Sequence, residues 1–268
     1  MVTSEARYGN RSPNLDSGEL MSRISFSFVL CAMLATRAYA AEVSVAVAAN
    51  FAAPMQKIAQ AFEQDTGHKA VLSVGSTGML YAQIRNGAPY QILLSADDET
   101  PNKLEKEGLG LASSRFTYAT GKLVLWSKQP GFVDDKGEVL RTGKFERIAI
   151  ANPKLAPYGA AAMETLGKLA ILQQLQARIV QGDNIAQTYQ FVATENAQLG
   201  FVALSQVFAD GKIAQGSGWI VPAGAHAPIR QDAILLTKGQ DSAAALALMR
   251  YLRGERAKSL IRSYGYDW

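Results

Sequence analysis

The stretch VAVAANFAAPMQKIAQAF, Val45 to Phe62, passes from an apolar run straight into helical spacing with one asparagine at the joint. Val43 to Ala48, apolar except for Ser44, reads as the first strand. Phe51, Met55, Ile58, Ala59 and Phe62 then fall on one helix face, and Gly67 in the TGHK turn supplies the stop. Asn50 stands where the unpaired amides of that helix begin, with no lysine or arginine beside it. Pro54 would be the fourth residue of a helix starting at Phe51. A first turn tolerates it, and the start can slide by one residue.

The strand-to-helix unit recurs along the chain. KAVLSV (69–74) leads into GSTG and a helix with Leu80, Tyr81 and Ile84 on one face, and YQILLSA (90–96) leads into Asp97, Asp98 and another helix. GKLVLWS (121–127) and RIAIAN (147–152) are predicted strands, the second followed by PKLAPYG and a helix containing Met163, Leu166 and Leu169. ARIVQGDN leads to the helix IAQTYQFVATENA, LGFVAL is a further strand, and GWIVPAGAHAPIRQDAILL gives strand, loop and strand before a last helix at 243–252. This alternation is the pattern of an α/β fold with parallel strands, and the length suits two lobes of about 100 residues each. No internal repeat and no low-complexity tract interrupts it.

The first 40 residues differ in kind. Arg23 precedes an apolar run from Ile24 to Ala35, and Ala38, Tyr39 and Ala40 form an A-x-A site. The run is shorter than the roughly 20 residues a membrane span needs, so it reads as a secretory signal with cleavage after Ala40. Met21 is the expected start, because the polar residues 1–20 do not fit a short basic leader. Cys31, the only cysteine, lies inside this signal, so the exported chain would carry neither a disulfide nor a thiol nucleophile. Leu30 occupies the place where a lipid-attachment site wants a small residue, which argues against a lipoprotein. Of the formal net charge of +4, residues 1–40 hold +1, from four basic and three acidic side chains. The remaining mild basicity, with no Lys/Arg run interleaved with aromatics, gives no nucleic-acid surface.

Small polar residues mark the joints where helices start: Asn50, Ser76 with Thr77, and Asn184 before Ile185. Tyr158 opens a fourth helix in APYG. In open α/β sheets such joints line the crevice at the carboxyl ends of the strands. Several helix N-termini meeting there offer unpaired N–H groups and partial positive charge, an anion site with no cationic side chain. Taken singly, each of these residues is an ordinary N-cap. GSTG lacks the Gly-Lys-Ser/Thr of a nucleotide phosphate loop. Composition and spacing thus reach an exported, two-lobed α/β protein with the means to hold an anion.

AANF, GSTGMLYAQIRNGAPY, LLSADDETPNKLEKEGL, FTYATGKLVLWS, IAIANPKLAPYG and LGFVALSQ resemble, in order and over nearly all of residues 42–268, the periplasmic molybdate-binding proteins of ABC importers. The similarity is to the branch with Asn and Tyr, rather than Ser and Ala, at two ligand positions. It implies a type II bilobal binding-protein fold, two mixed-sheet lobes joined by a two-strand hinge. Lobe I would comprise 41–119 and 225–268, and lobe II 120–224. It further implies molybdate or tungstate as ligand, no cofactor, no catalysis, a membrane permease as partner, a periplasmic location and a monomer. Carried over by position, the oxyanion contacts fall on Ala49 and Asn50, on Ser76 and Thr77, on the Tyr158 amide and on the Ile185 amide. Ala203 stands where other members place a ligand tyrosine, so Tyr158 is expected to fill that volume. Gln91 replaces a common acidic residue.

Other chemically able side chains are read as structural. Asp97 and Asp98 are expected to cap a helix, Asp183 to cap or to accept beside Asn184, and His68 and His226 to lie exposed. Trp126, Trp219 and Trp268 are expected to pack. An enzyme on the same fold, a regulator's sensing domain, and a receptor for sulfate, phosphate or an amino acid are the competing classes. The mature chain lacks a triad or thiol for the first and a helix-turn-helix for the second. An amino-acid receptor would need an Arg and an acidic partner, and the four turns hold neither.

Overall fold

The computed structural model describes residues 1–6, 9 and 40–267; the expected signal segment, Cys31 and Trp268 lie outside them. Among the described residues, every strand and helix belongs to the unit from Ala40 onward. Strand β1 (Glu42–Ala48) runs into a single 3-10 turn (Ala49–Phe51) and helix α1 (Ala52–Thr66). The helix starts one residue later than Phe51, which puts Pro54 third, where its missing N–H is one of the amides left unpaired anyway. Met55, Ile58 and Phe62 are fully buried, each worth about 1.5–3 kcal/mol in apolar burial. Gly67 closes the helix at φ 74°, its N–H on the Glu63 carbonyl at 2.9 Å.

The chain continues through β2 (Lys69–Gly75), α2 (Thr77–Arg85), β3 (Ile92–Leu94), α3 (Glu99–Lys106), β4 (Phe116–Gly121) and β5 (Leu123–Ser127). Next come α4 (Val139–Thr142), β6 (Ile148–Ala151), α5 (Pro157–Lys168), α6 (Leu172–Leu175), β7 (Ile179–Gly182), α7 (Ile185–Ala193) and β8 (Leu199–Ala203). A two-residue hairpin, β9 (Phe208–Ala209) and β10 (Lys212–Ile213), precedes β11 (Ser217–Ile220), β12 (Ile229–Leu235), α8 (Ala243–Leu252) and α9 (Glu255–Ser263).

Two five-stranded sheets result, ordered β2-β1-β3-β12-β4 and β11-β5-β8-β6-β7. In the first, β1 is parallel to β2 and β3, while β12 is antiparallel to β3 and β4. In the second, β6 is parallel to β7 and β8, while β5 is antiparallel to β8 and β11. The sheets are therefore mixed rather than wholly parallel. Lys122 alone separates β4 from β5, and residues 221–228 carry the chain back from β11 to β12. These two connections join the two sheets.

Six elements escaped the sequence: β4, the short α4 and α6, the β9–β10 hairpin and α9. Strand β4 runs on into β5 with no turn residue cluster to separate them, so the periodicity does not show where one sheet hands over to the other. Helix α9 buries only Ala257 and Ile261, too thin an apolar stripe to stand out among its charges. The strand expected over 90–96 is ordered as β only at Ile92–Leu94.

Candidate functional site

The turns after β1, β2, β6 and β7 close around one cavity of about 200 Å³ of free space. Ala49, Asn50, Ser76, Thr77, Tyr158 and Ile185 all line it, with Ala96, Ala156 and Asn184. Its wall holds no Lys or Arg. A wider cleft of about 1330 Å³ of free space shares Thr77, Ala96, Ala156 and Pro157 with it. At that cleft the Gly78 N–H reaches across to the Leu155 carbonyl at 2.9 Å, and a Cβ on Gly78 would come within 3.0 Å of Leu155. Glycine is what lets the two lobes meet there.

Each turn leaves donors unspent. Among the described residues, no protein acceptor meets the backbone N–H of Asn50, Thr77, Tyr158 or Ile185, each at or near a helix start where partial positive charge accumulates. Pro157 opens α5 and gives up an amide that would be orphaned in any case. Gly159 lets that helix approach β6: a Cβ there would stand 2.1 Å from the Ala151 carbonyl oxygen. The Ser76 hydroxyl makes no hydrogen bond within the described residues, and Ser76 is not a side-chain cap of α2. Thr77 Oγ1 accepts from the Ala96 N–H at 3.1 Å, which orients the hydroxyl and leaves its proton to donate.

Asn50 answers differently from its sequence position. Its side chain turns away into a buried network, Nδ2 donating to Gln231 Oε1 at 2.9 Å and to the Tyr266 hydroxyl at 3.0 Å. The Asn50 carbonyl accepts from Ser205 Oγ at 2.9 Å and from Tyr266 at 2.8 Å. Gln231 also accepts from the Tyr118 hydroxyl at 3.0 Å and donates to the Tyr158 hydroxyl at 3.1 Å. Burial drives Tyr118 and Tyr158 well above the usual phenol range and Tyr266 up to about 12. The network is thus uncharged at neutral pH. Of Asn50, only the backbone remains for the cavity.

In the second lobe Asn184 Oδ1 caps α7, accepting from Ala186 N at 2.9 Å and Gln187 N at 3.0 Å. Gln206 accepts from Ala203 N at 3.0 Å and donates to the Ile185 carbonyl at 3.1 Å. Ala203 is fully buried in the same apolar cluster as Tyr158. Asp183 is exposed and caps nothing; the cap belongs to its neighbour Asn184. His226, expected at the surface, is buried, its Nδ1 2.7 Å from the Ala227 carbonyl, because its loop folds against the second lobe's core. His68 is half-buried and accepts from Ala41 N at 3.2 Å. Asp97 caps α3 through Thr100 N at 2.8 Å, while Asp98 makes no side-chain cap. Gln91 takes a strand role, its Oε1 accepting from Ser44 N at 3.0 Å. Trp126 stacks on Tyr189, and Trp219 is buried in the second lobe.

Sequence spacing missed Gln231, Tyr118, Ser205, Gln206 and Tyr266. Tyr118, Ser205 and Gln206 lie in stretches that carry the family resemblance, but no local spacing points them at Asn50, and Gln231 is 181 positions from it, so only the tertiary fold brings them together.

The family described as bacterial extracellular solute-binding protein matches residues 43–267. The molybdate-binding protein ModA of Azotobacter vinelandii is 60% identical over 234 residues, 87% of this chain and 93% of that protein. The ModA of Rhodobacter capsulatus is 49% identical over 233 residues, 87% of this chain and 91% of its own length. The solved periplasmic molybdate-binding protein of Azotobacter vinelandii superposes with a TM-score of 0.82 at 43% identity, covering 84% of this chain and 99% of that one. The chain belongs to the bacterial extracellular solute-binding protein family.

Proposed function

We propose that this protein captures molybdate or tungstate in the cavity between its lobes and delivers the closed form to an ABC permease. The observation that carries the proposal is the cavity wall itself: four helix starts with unspent amides, two hydroxyls and no cation. Such a wall holds a small dianion by hydrogen bonds and helix-end charge. The donors are the amides of Asn50, Thr77, Tyr158 and Ile185 with the hydroxyls of Ser76 and Thr77, and Ala49 shapes the first turn. Closure follows from the ligand binding both lobes at once, so that its affinity for the closed arrangement exceeds that for the open one.

Translation from Met21 and cleavage after Ala40 make residues 21–40 the signal peptide, whose removal releases a monomer into the periplasm. Lobe I is 41–119 with 225–268, lobe II is 120–224, and neither serves a catalytic purpose. The high identity to proteins named for molybdate supports the choice of ligand.

Selectivity rests on size. Molybdate, tungstate and sulfate are all tetrahedral dianions, so a cage of donors cannot separate them by charge. A cage set for the metal oxyanions stretches its bonds to sulfate beyond the roughly 2.7–3.2 Å at which they are strong. Phosphate keeps a proton near neutral pH and needs an acceptor, and Asp183, the carboxylate nearest in sequence to the Asn184 turn, is exposed and not in the cavity wall. Titration calorimetry with each anion tests this. Molybdate and tungstate should bind tightly and raise the melting temperature, with sulfate and phosphate far weaker; sulfate bound as tightly as molybdate would sink the assignment in favour of a sulfate receptor.

A further inference from the structure

Gln231 lies on β12, just after the second connection returns the chain to the first sheet, and it is fully buried. The register of β12 against β4 shifts between Gln231 and Asp232, the kind of irregularity that re-aims a side chain. Its amide faces two ways. Oε1 accepts from Asn50 Nδ2, in the first lobe's ligand turn, while Nε2 donates to the Tyr158 hydroxyl, in the second lobe's. The other connection makes room for this contact. A Cβ on Gly121, at the end of β4, would stand 2.1 Å from the Tyr158 hydroxyl oxygen and 2.5 Å from Gln231 Nε2.

We infer that Gln231 is a positioning residue for anion capture, tying the Asn50 turn to the Tyr158 turn so that the two halves of the site are held in register as the lobes close. The inference rests on the proposed anion site. Gln231 is absent from the cavity wall, so it acts through its partners. Each of those partners keeps one other contact without it. Asn50 Nδ2 keeps the Tyr266 hydroxyl, and Tyr118 keeps the Ser95 carbonyl at 2.9 Å. Tyr158, the member from the second lobe, keeps Tyr266, and Ser205 still reaches from the second lobe to the Asn50 carbonyl and to Tyr266. Removing Gln231 takes away the one amide that bonds Asn50 and Tyr158 directly, while those contacts remain.

The test compares wild type, Gln231→Leu, Tyr158→Phe and the double variant with sodium molybdate, by calorimetry for Kd and stopped-flow tryptophan fluorescence for rates. Gln231→Leu should raise koff about tenfold with kon nearly unchanged, since contacts that hold a formed complex show in the off-rate. Tyr158→Phe should raise koff by less, and the double variant no more than Gln231→Leu alone, because both delete one shared link. A purely structural role would lower the ligand-free melting temperature and leave koff unmoved. Wild-type binding with koff unchanged in both single variants, or additive effects in the double, overturns the coupling alone. No binding by wild type overturns the anion site and the coupling with it. Should Gln231→Leu fail to fold, Tyr158→Phe, which deletes one oxygen, decides the matter.

Discussion

The two lobes build their halves of the cavity on the same frame with different chemistry. Each places its leading strand between the next two, β2-β1-β3 in one and β7-β6-β8 in the other. Turns after the leading strand and the next one line the cavity, and the exit of the third strand braces the second turn. In the first lobe the brace is backbone to side chain, Ala96 N–H on Thr77 Oγ1. In the second it is side chain to backbone, Gln206 on the Ile185 carbonyl. The first lobe thus offers hydroxyls as well as amides, and the second offers amides alone. A substitution can delete a donor in the first lobe but can only disturb one in the second.

The largest expected effect is at Thr77. A hydrogen bond to a charged group is worth about 1.5–3 kcal/mol, so Thr77→Ala should weaken molybdate binding about 10- to 150-fold. It also strips the Ala96 amide of its acceptor, so some stability goes with it. Thr77→Ser keeps the hydroxyl and should retain most of the affinity. Calorimetry on both variants separates the two losses; equal affinity for Thr77→Ala and wild type would remove this side chain from the site.

The mirror-image change is Asn184→Ala in the second lobe. It removes a cap that bonds two amides of α7, at a cost of about 0.5–2 kcal/mol in stability. The Ile185 donor is backbone and survives, so affinity should drop only a few-fold. Denaturant unfolding paired with calorimetry reads both. An affinity loss as deep as that of Thr77→Ala would show that the lobes do not divide their work in this way.

The sequence made the cavity wall legible because its residues sit at strand-to-helix joints, where local pattern and ligand position coincide. Asn50, Thr77, Tyr158 and Ile185 each come after a strand directly or after a short turn. What it hid was direction. Nothing near Asn50 shows that its side chain turns from the cavity toward Gln231 and Tyr266, because those partners lie in the last 40 residues of the chain. The same holds for β4, whose end is set by pairing with β12 and not by any residue of its own. Asp183 and Asn184 made equal claims to a cap from sequence, and only the backbone geometry of the turn chose Asn184.

The smallest effect concerns charge, and it again divides the lobes. After its third strand the first lobe carries Asp97, a carboxylate, where the second carries the neutral Gln206. Burial raises the Asp97 carboxyl above its ordinary value, opposed by hydrogen bonds from Thr100 and Ser95, with Glu99 adding slightly to the rise. An acid whose folded pKa lies above its unfolded one, about 3.9 for Asp, binds more protons folded than unfolded in the interval between them. Its contribution to stability is then fully present below that interval and is lost as pH rises through the folded value. Asp97→Asn keeps an oxygen to accept from Thr100 N but cannot ionise. Its stability relative to wild type should therefore climb as pH rises from about 4 and level off once the wild-type carboxylate is charged. Thermal melts of both proteins across acid to neutral pH measure the difference. A difference that falls with rising pH would mean that the hydrogen bonds outweigh burial, and that the first lobe holds a stabilising charge where its partner holds none.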